Sequence, residues 1–197
     1  MTLRWGFFGG TFDPVHRAHV ALAHVALQHA RLDEVRWVPA GQPWQKQRAI
    51  SAAHHREAMV RLAIEGEPHF VLDRTELERS GPTYTVETIT QMAAQRPGTC
   101  VLILGADQYA RLHTWHRWAE LLPLVELAVA QRPGTPLAAE PAVAARPVTE
   151  LPLPAMDISA SDIRTRAALG QDISKLVPDP VARYIGSHRL YAAVTGS

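Results

Sequence analysis

The sequence has a single cysteine, Cys100, so it cannot close an internal disulfide bond. Because disulfides persist mainly in oxidising compartments, one lone thiol favours a reducing, cytoplasmic setting. The chain also has no excess of either charge, since it contains 20 Lys and Arg and 19 Asp and Glu. This balance argues against the broad basic surface of a nucleic-acid-binding protein. The longest apolar run, residues 121–130, is interrupted by Pro123 and Glu126 and is too short to span a membrane. We also expect no secretory leader, since the first residues lack its apolar core and cleavage site.

Length and composition are those of an ordinary globular protein. The 197 residues suit one domain with enough chain to bury a core. Hydrophobic residues make up 47% and charged residues 20% of the chain. We therefore expect one soluble domain over residues 1–197.

Segments of strand length alternate with helical stretches along the chain. The predicted strands are residues 3–8, 34–38, 70–72, 101–104, 124–130 and 148–153. The predicted helices are 18–31, 51–64 with Ser51 as its cap, 86–95, 115–122, 161–169 and 180–187. Residues 132–147, rich in Pro, Ala and Gly, are predicted to form a loop. This alternation predicts an α/β fold, a Rossmann-like doubly wound parallel sheet with helices on both faces. Such sheets bind ligands beyond the carboxyl ends of their strands.

The most informative segment, residues 7–19, reads Phe-Phe-Gly-Gly-Thr-Phe-Asp-Pro-Val-His-Arg-Ala-His. Gly9 and Gly10 predict a sharp turn with room for a ligand. His16 and His19 stand three residues apart at the start of a predicted helix, so their imidazoles share a face. The free N–H groups and positive dipole of a helix N-terminus attract phosphate. Together these features predict a polyphosphate site.

Other interpretations of this segment are open on the residues alone. Two glycines after a strand often form only a turn, and two histidines on one helix face can bind a metal or lie on the surface. The segment is not a P-loop, because it lacks the Gly-Lys-Ser/Thr ending, and it lacks the three spaced glycines of the dinucleotide fingerprint.

The segment resembles the signature Gly-Gly-Thr-Phe-Asp-Pro-x-His-x-Gly-His of the nucleotidyltransferase superfamily that contains the nicotinate-nucleotide adenylyltransferases. This chain matches every fixed position except Ala18, where the pattern has glycine. Alanine adds one methyl group and favours a helix more than glycine does. The resemblance implies that the ATP-binding residues of this segment are Gly9, Gly10, Thr11, Phe12, His16 and His19. It further implies a catalytic role for His16 and His19 as hydrogen-bond donors to the α-phosphate.

A second segment runs from a predicted strand into Gly105 and Asp107. A carboxylate at this place can accept hydrogen bonds from a ribose, or it can cap the next helix. The stretch resembles the Gly-x-Asp…Leu…Trp region of the same family, which implies that Gly105 and Asp107 bind ATP. It also implies that Trp115 stacks on the nicotinate ring, although Trp115 and the nearby Trp118 could simply pack in the core.

A third segment, residues 158–164, reads Ile-Ser-Ala-Ser-Asp-Ile-Arg. Hydroxyl residues open a predicted helix with an arginine on its first turn, which suits an anion but also fits an ordinary cap with a surface arginine. The segment resembles the family motif Ile-Ser-x-Thr-x-Ile-Arg, with Ser161 in place of threonine. The resemblance implies that Ser159 and Arg164 hold the β- and γ-phosphates of ATP, and that Arg164 is catalytic.

A fourth segment, residues 82–88, reads Pro-Thr-Tyr-Thr-Val-Glu-Thr. It resembles the Tyr-Thr-x-x-Thr segment that lines the pyridine pocket in nicotinate-nucleotide adenylyltransferases. The resemblance implies that Tyr84 and Thr85 contact nicotinate mononucleotide.

Two basic residues are implied for the phosphate of the mononucleotide. Residues 42–46 resemble the Pro-Pro-His-Lys loop of the family, with Trp44 and Gln45 where Pro-His is usual and Lys46 in its place. Arg132 begins a stretch that resembles the family's Arg-Pro-Gly turn. The resemblance implies that Lys46 and Arg132 hold the mononucleotide phosphate.

The implied reaction joins nicotinate mononucleotide to the AMP part of ATP and gives deamido-NAD and pyrophosphate, a step of NAD biosynthesis. The partners are then ATP and nicotinate mononucleotide, with Mg²⁺ arriving on ATP and no protein metal cage. The alternatives are a phosphopantetheine adenylyltransferase, a cytidylyltransferase, a catalytically silent nucleotide-binding module, and a zinc protein built on His16 and His19. The sequence leaves open the oligomeric state and the preference for an acid over an amide on the pyridine ring.

Overall fold

The computed structural model describes residues 2–42, 50–131 and 136–192. Its strands are β1 (Arg4–Gly10), β2 (Glu34–Pro39), β3 (Phe70–Leu72), β4 (Thr99–Gly105), β5 (Glu126–Gln131) and β6 (Val148–Pro152). They form one parallel sheet in the order β3-β2-β1-β4-β5-β6. The order reverses between β1 and β4, the place at which a doubly wound sheet binds its ligands. The predicted α/β class and parallel sheet are confirmed.

Eight α-helices lie in this described part of the chain. They are α1 (Arg17–His29), α2 (Ala53–Ala63), α3 (Thr85–Gln95), α4 (Ala106–Ala110), α5 (Trp118–Leu121), α6 (Pro141–Ala144), α7 (Ala160–Ala168) and α8 (Asp179–Ser187). Helices α1, α2, α7 and α8 supply the buried residues on one face of the sheet, and α3 to α6 supply those on the other. No helix in residues 2–42, 50–131 and 136–192 is long and apolar enough to cross a membrane.

The middle residues of the two central strands, 5–8 in β1 and 100–104 in β4, are apolar because both of their faces are buried. In β1, Trp5 and Phe7 pack in one core and Phe8 packs in the other. In β4, Leu102 and Ile103 divide in the same way. Successive side chains of a strand point to opposite faces of the sheet, so neighbouring residues pack in the two different cores. This alternation holds the helices against both faces of β1 and β4, next to the reversal in strand order.

Gly9 and Gly10 belong to β1, so the predicted turn at these residues is wrong. They pair with the last residues of β2, and the Gly10 carbonyl accepts a hydrogen bond from the Ala40 N–H at 2.8 Å. The chain turns afterwards, at Thr11 and Phe12, and Phe12 has a φ of 50°. A Cβ at Gly10 would lie 2.9 Å from the Phe12 ring. In that direction the chain's own aromatic ring fills the space that was predicted for a ligand.

The predicted helices over residues 51–64 and 115–122 differ most from the structure in where they begin. Ser51 is not the cap of α2, because Ala52 holds that position and the Ser51 carbonyl instead accepts from Arg56 at 3.0 Å. The predicted helix over residues 115–122 is confined to α5, which is flanked by two 3₁₀ turns. It begins only after Arg117, whose left-handed backbone, with a φ of 51°, cannot continue a helix.

Two short helices, α4 and α6, were not predicted. Helix α6 lies inside the segment predicted as a loop, so that prediction is wrong for residues 141–144. Glu140 accepts a hydrogen bond from the Ala142 N–H at 2.8 Å, and Pro141 occupies the first turn. A capping carboxylate followed by proline is a recognised helix start, and its signal was hidden by the surrounding Pro and Ala residues.

Asp73 fastens the end of β3 to its neighbour β2. Its carboxylate accepts from Arg36 Nη1 at 2.6 Å and from the Thr75 N–H at 2.9 Å. The Asp73 N–H donates to the Trp37 carbonyl at 2.8 Å. The ion pair is largely buried, since the side chains of Arg36 and Asp73 are 13% and 10% exposed. Because β3 is a short edge strand with few bonds of its own, we expect this carboxylate to contribute measurably to stability.

We expect Asp73→Asn to lower the free energy of unfolding by about 2 kcal/mol, because an amide does not replace charge-assisted bonds. Burial opposes the charged form of Asp73, but the bonds from Thr75 and Arg36 outweigh it and lower its pKa. A lowered folded-state pKa means that the contribution is present above about pH 4 and fades as the pH falls further. Urea unfolding across this pH range measures both effects.

Asp179→Asn is the matched control, because it removes an exposed ion pair in which Asp179 is 69% exposed. We expect this control to cost less than about 1 kcal/mol. Equal losses in the two variants would contradict the assigned role of Asp73.

Candidate active site

Two histidines stand at the N-terminus of α1, directly beyond the carboxyl end of β1. His16 is the N-cap and His19 lies in the first turn. Their rings are stacked, with centroids 3.6 Å apart, so they share a face as their spacing predicts. The His16 backbone N–H donates to His19 Nδ1 at 3.2 Å. An accepting Nδ1 places the proton of a neutral His19 on Nε2, where it can be donated to a ligand.

The environment of this pair keeps both rings uncharged. Burial lowers the pKa of His16 to about 4. Burial, together with the charge of a protonated His16, holds the pKa of His19 well below its ordinary value. The rings of Phe8 and Phe12 meet His19 edge-on at 6.0 and 5.2 Å. The protein therefore presents neutral imidazoles, held in one orientation, rather than two cations.

His16 and Phe12 differ in what their side chains can offer a ligand. His16 is 7% exposed, and its Nδ1 is buried with no hydrogen-bond partner among the described residues. The Phe12 ring is 3% exposed and packs in the core. Any contact of Phe12 with ATP is therefore through its backbone.

The third sequence segment meets the first one at the start of α7. Arg164 Nη1 donates to the Asp13 carbonyl at 2.8 Å, although 151 residues separate the two in sequence. Arg164 Nη2 donates to Ser161 Oγ at 3.0 Å. Ser159 is the N-cap of α7, and its Oγ accepts from the Asp162 N–H at 3.1 Å. The structure thus brings Arg164 to the histidine segment, while the Ser159 hydroxyl serves as a helix cap.

A cavity of about 470 Å³ opens between these two segments, within the size range of small-molecule sites. Tyr191, near the C-terminal limit of the described chain, donates its hydroxyl to Asp13 Oδ1 at 2.8 Å. Burial, with the charge of Asp13, raises the pKa of Tyr191, so the phenol stays protonated and keeps donating. Tyr191 was not predicted, because no local pattern links it to Asp13. The cavity is lined by Asp13, Ile50, Ser51, Arg164, Thr165, Ala168 and Tyr191.

On the other side of the strand reversal, Gly105 ends β4 and is the N-cap of α4. A Cβ placed there would meet nothing within 4 Å, so the space beyond this strand is open. Asp107 lies in the first turn of α4 and is exposed. The alternative that Asp107 caps the helix is wrong, because Gly105 occupies the capping position. Its carboxylate therefore remains exposed at the ligand-binding edge of the sheet.

Tyr84, Thr85 and Trp115 lie in neighbouring elements on the α3 side of the sheet. Tyr84 is the N-cap of α3 and Thr85 is its first residue. The Tyr84 ring stacks on His116, with centroids 4.1 Å apart. Trp115, half-buried, packs against the same core as Tyr84 and Trp118. Trp115 thus keeps part of its surface exposed beside the start of α3, next to His116, for which no role was predicted from the sequence.

The predicted mononucleotide-phosphate residues Lys46 and Arg132 lie outside the described residues, as do Trp44 and Gln45. Among residues 2–42, 50–131 and 136–192, no group of three or more His, Cys, Asp or Glu side chains could hold a metal ion. Cys100 lies in β4, where burial raises its pKa, so its thiolate is not accessible for chemistry.

Comparisons with known proteins show the family to which this chain belongs. Residues 7–166 match a family described as cytidylyltransferase-like. A protein of Methylibium petroleiphilum, named probable nicotinate-nucleotide adenylyltransferase, is 46% identical over 201 residues, covering 98% of this chain and 94% of that protein. A protein of the same name from Bordetella petrii is 47% identical over 194 residues, covering 95% and 98%.

Solved structures show the same fold. Plasmodium falciparum nicotinic acid mononucleotide adenylyltransferase complexed with NaAD has a TM-score of 0.77 and 20% identity, covering 96% of this chain and 97% of that chain. The same enzyme complexed with APC has a TM-score of 0.75. At this identity the likeness concerns the fold, whereas the curated relatives match nearly the whole sequence at more than twice that identity. The chain therefore belongs to the nicotinate-nucleotide adenylyltransferase family, enzymes that transfer the adenylyl group of ATP to nicotinate mononucleotide in NAD biosynthesis.

Proposed function

We propose that this chain joins nicotinate mononucleotide to the adenylyl group of ATP and releases deamido-NAD and pyrophosphate. The observation that carries the proposal is the meeting of two anion-binding helix starts beside the strand reversal. The His16 and His19 rings stand at one start, and Arg164 reaches the Asp13 carbonyl from the other. Both starts offer N–H groups and positive dipole to a polyphosphate.

The reaction needs no nucleophile from the protein. The phosphate of nicotinate mononucleotide is already an anion near neutral pH and attacks the α-phosphorus of ATP, whose bond to the bridging oxygen of pyrophosphate breaks. Holding the two reactants in line can supply an effective molarity of ~10⁵–10⁸ M. Each preorganised donor to the developing charge adds roughly 10²–10³ in rate. Positioning and electrostatics therefore account for the chemistry.

His16 and His19 are assigned to the α-phosphate. Because both rings are neutral, each can donate one N–H to an oxygen on which negative charge accumulates. For His19 the donor is Nε2, since Nδ1 already accepts from the His16 backbone. Thr11 and the backbone of Gly9, Gly10 and Phe12 extend this cradle. The Phe8 and Phe12 edges fix the His19 ring, so little reorganisation is needed in the transition state.

Arg164 and Ser159 are assigned to the leaving pyrophosphate. The guanidinium keeps its charge at every working pH and can neutralise the leaving group as the bond breaks. Ser159 opens α7, so phosphate oxygens near it meet the free N–H groups of that helix. Gly105 and Asp107 are assigned to the adenosine side, where the open space beyond β4 admits a nucleoside and the Asp107 carboxylate can accept from ribose hydroxyls.

The second substrate is assigned to the α3 side of the site. The N-terminus of α3, where Tyr84 is the N-cap and Thr85 the first residue, has a positive dipole that suits a carboxylate on the pyridine ring. Trp115 offers an aromatic face for stacking. Lys46 and Arg132 are proposed for the mononucleotide phosphate on the sequence resemblance.

Mg²⁺ is proposed to enter with ATP. The described side chains include no carboxylate cage, and the Asp13 carboxylate beside the cavity already accepts from Tyr191. These residues fit a cation that is held mainly by phosphate oxygens and water, as Mg²⁺ usually is. When bound, it would reduce the charge repulsion between the two anionic substrates.

Pyrophosphate release with ATP and Mg²⁺ tests the proposed function. We expect nicotinate mononucleotide to be a better substrate than nicotinamide mononucleotide, because helix N–H groups favour a carboxylate over an uncharged amide, and phosphopantetheine to give no product. Equal rates on the two pyridine nucleotides would reject the proposed preference for nicotinate mononucleotide but not the adenylyl transfer itself. Activity on phosphopantetheine alone would reject the proposal.

Substitution of His19 tests its place in the chemistry. We expect His19→Ala to lower kcat about 10²–10³-fold, because it removes a donor to the developing charge. Binding of ATP should weaken by a smaller factor, since the helix N–H groups remain. Steady-state kinetics with calorimetric ATP binding measures both quantities. His29→Ala, an exposed histidine in the last turn of the same helix, is the control. An unchanged kcat in His19→Ala would remove His19 from the mechanism.

The neutral state of the pair has its own measurable consequence. A histidine whose folded pKa is lowered contributes no penalty above its unfolded pKa of about 6.5, and destabilises the fold progressively as the pH falls below it. For His16, with a pKa of about 4, we expect the free energy of unfolding to fall by about 2 kcal/mol from pH 7 to pH 5. Urea unfolding of wild type and His16→Asn measures this difference. The assigned neutral state would be contradicted if both proteins lost stability equally.

A further inference from the structure

Arg56, in α2, is a buried cation outside the residues assigned to the substrates. It is 1% exposed, and its guanidinium is spread over three backbone carbonyls. Nε donates to Ser51 at 3.0 Å, Nη1 to Thr11 at 3.1 Å and Nη2 to Gly41 at 3.1 Å. Arginine is rarely buried to this degree, and its rigid fork can hold several acceptors at fixed spacing.

The three carbonyls belong to two connections at the ligand-binding edge: Thr11 lies between β1 and α1, whereas Gly41 and Ser51 lie near the two ends of the connection from β2 to α2. Thr11 follows β1 in the segment assigned to ATP. Gly41 follows β2 and leads toward Lys46, which is assigned to the mononucleotide phosphate. Ser51 precedes α2. A single side chain therefore joins the ATP loop to the mononucleotide loop across the ends of two paired strands.

The Gly41 loop is also fixed from its other side. A Cβ at Gly41 would lie 2.1 Å from the Glu76 carbonyl oxygen, so the two backbones are in close approach and only glycine fits. The Glu76 side chain, 6% exposed, accepts from the Thr88 hydroxyl at 3.0 Å. That hydroxyl is also 3.2 Å from the carbonyl of Tyr84, the N-cap of α3. Contacts thus run without a break from Arg56 to the pyridine side of the site.

Charge around Arg56 is balanced from both substrate sides. Burial lowers its pKa, whereas Asp13 and Glu76 favour the charged form. Asp13 carries the carbonyl that Arg164 binds, and Glu76 lies against the mononucleotide loop. Arginine keeps its proton in proteins, so the cation is held between one acidic residue from each half of the site.

We propose that Arg56 is a positioning residue that sets the distance between the ATP loop and the mononucleotide loop, so that the attacking phosphate is aligned with the α-phosphate. Being buried, it has no surface left to contact a substrate. The inference rests on the proposed function, since it assigns one loop to each substrate. Without Arg56, the ATP loop and the mononucleotide loop each keep their own ligand contacts. The position of one loop relative to the other, however, is lost.

Arg56→Lys tests this role, because lysine keeps the charge but is a compact donor that cannot span three carbonyls in a fork. We expect kcat to fall about 100-fold, the effect of a misplacement of about 1 Å between reactants. Calorimetry should find the Kd and stoichiometry of a non-transferable ATP analogue, and those of nicotinate mononucleotide alone, changed less than about threefold. Arg61→Lys is the matched control on the same helix, because its side chain is 66% exposed and pairs with Glu57.

An unchanged kcat in Arg56→Lys would overturn the inference. So would a fall in ligand stoichiometry parallel to kcat, since Arg56 would then only stabilise the fold. If this variant does not fold, Arg56→Ala assayed with added methylguanidinium replaces it: at least a tenfold recovery of kcat supports the role, and no recovery rejects it. An inactive wild-type protein would reject the proposed function itself. An active wild type together with an unchanged kcat in Arg56→Lys would reject only the positioning role of Arg56.

Discussion

The reversal of strand order between β1 and β4 is the constraint on which the rest of the structure depends. Because connections leave these two strands toward opposite faces, their carboxyl ends border a cleft that neither layer of helices fills. Helix α1 begins at that edge with His16 and His19, and α4 begins there after Gly105. Helix α7 comes from far along the chain and reaches the same edge through Arg164. The topology thus assembles three helix N-termini around one place, which is what binding a polyanion requires.

The buried polar side chains at this edge mainly hold neighbouring parts of the protein in place, rather than supplying charge to a ligand. His16 is held neutral by burial, and Arg56 is balanced by Asp13 and Glu76. The Arg56 guanidinium contacts the backbone carbonyls of two connections, which would otherwise have freedom to move. A site that transfers an adenylyl group between two anions gains from such preorganisation, because orientation accounts for much of the acceleration. The same residues link the stability of the fold to the geometry of catalysis.

Much of this could be predicted from sequence because its signals are local. The strand at β4, the spacing of His16 and His19 and the hydroxyl at the start of α7 each leave a pattern within about ten residues. Signals that depend on distant contacts were missed. The Gly9–Gly10 turn was misplaced because pairing with β2 extends the strand, and Tyr191 acquires its partner Asp13 only when distant parts of the chain meet. Long-range bonds from one side chain to backbone carbonyls have no sequence period to reveal them.

The proposed mechanism requires that the histidine pair and Arg164 surround the triphosphate of ATP. A structure of the complex with a non-transferable ATP analogue and nicotinate mononucleotide tests it most directly. We expect an α-phosphate oxygen about 3 Å from His19 Nε2, with Arg164 on the β- and γ-phosphates. A triphosphate bound away from the start of α1, with His16 and His19 facing no phosphate oxygen, would contradict it.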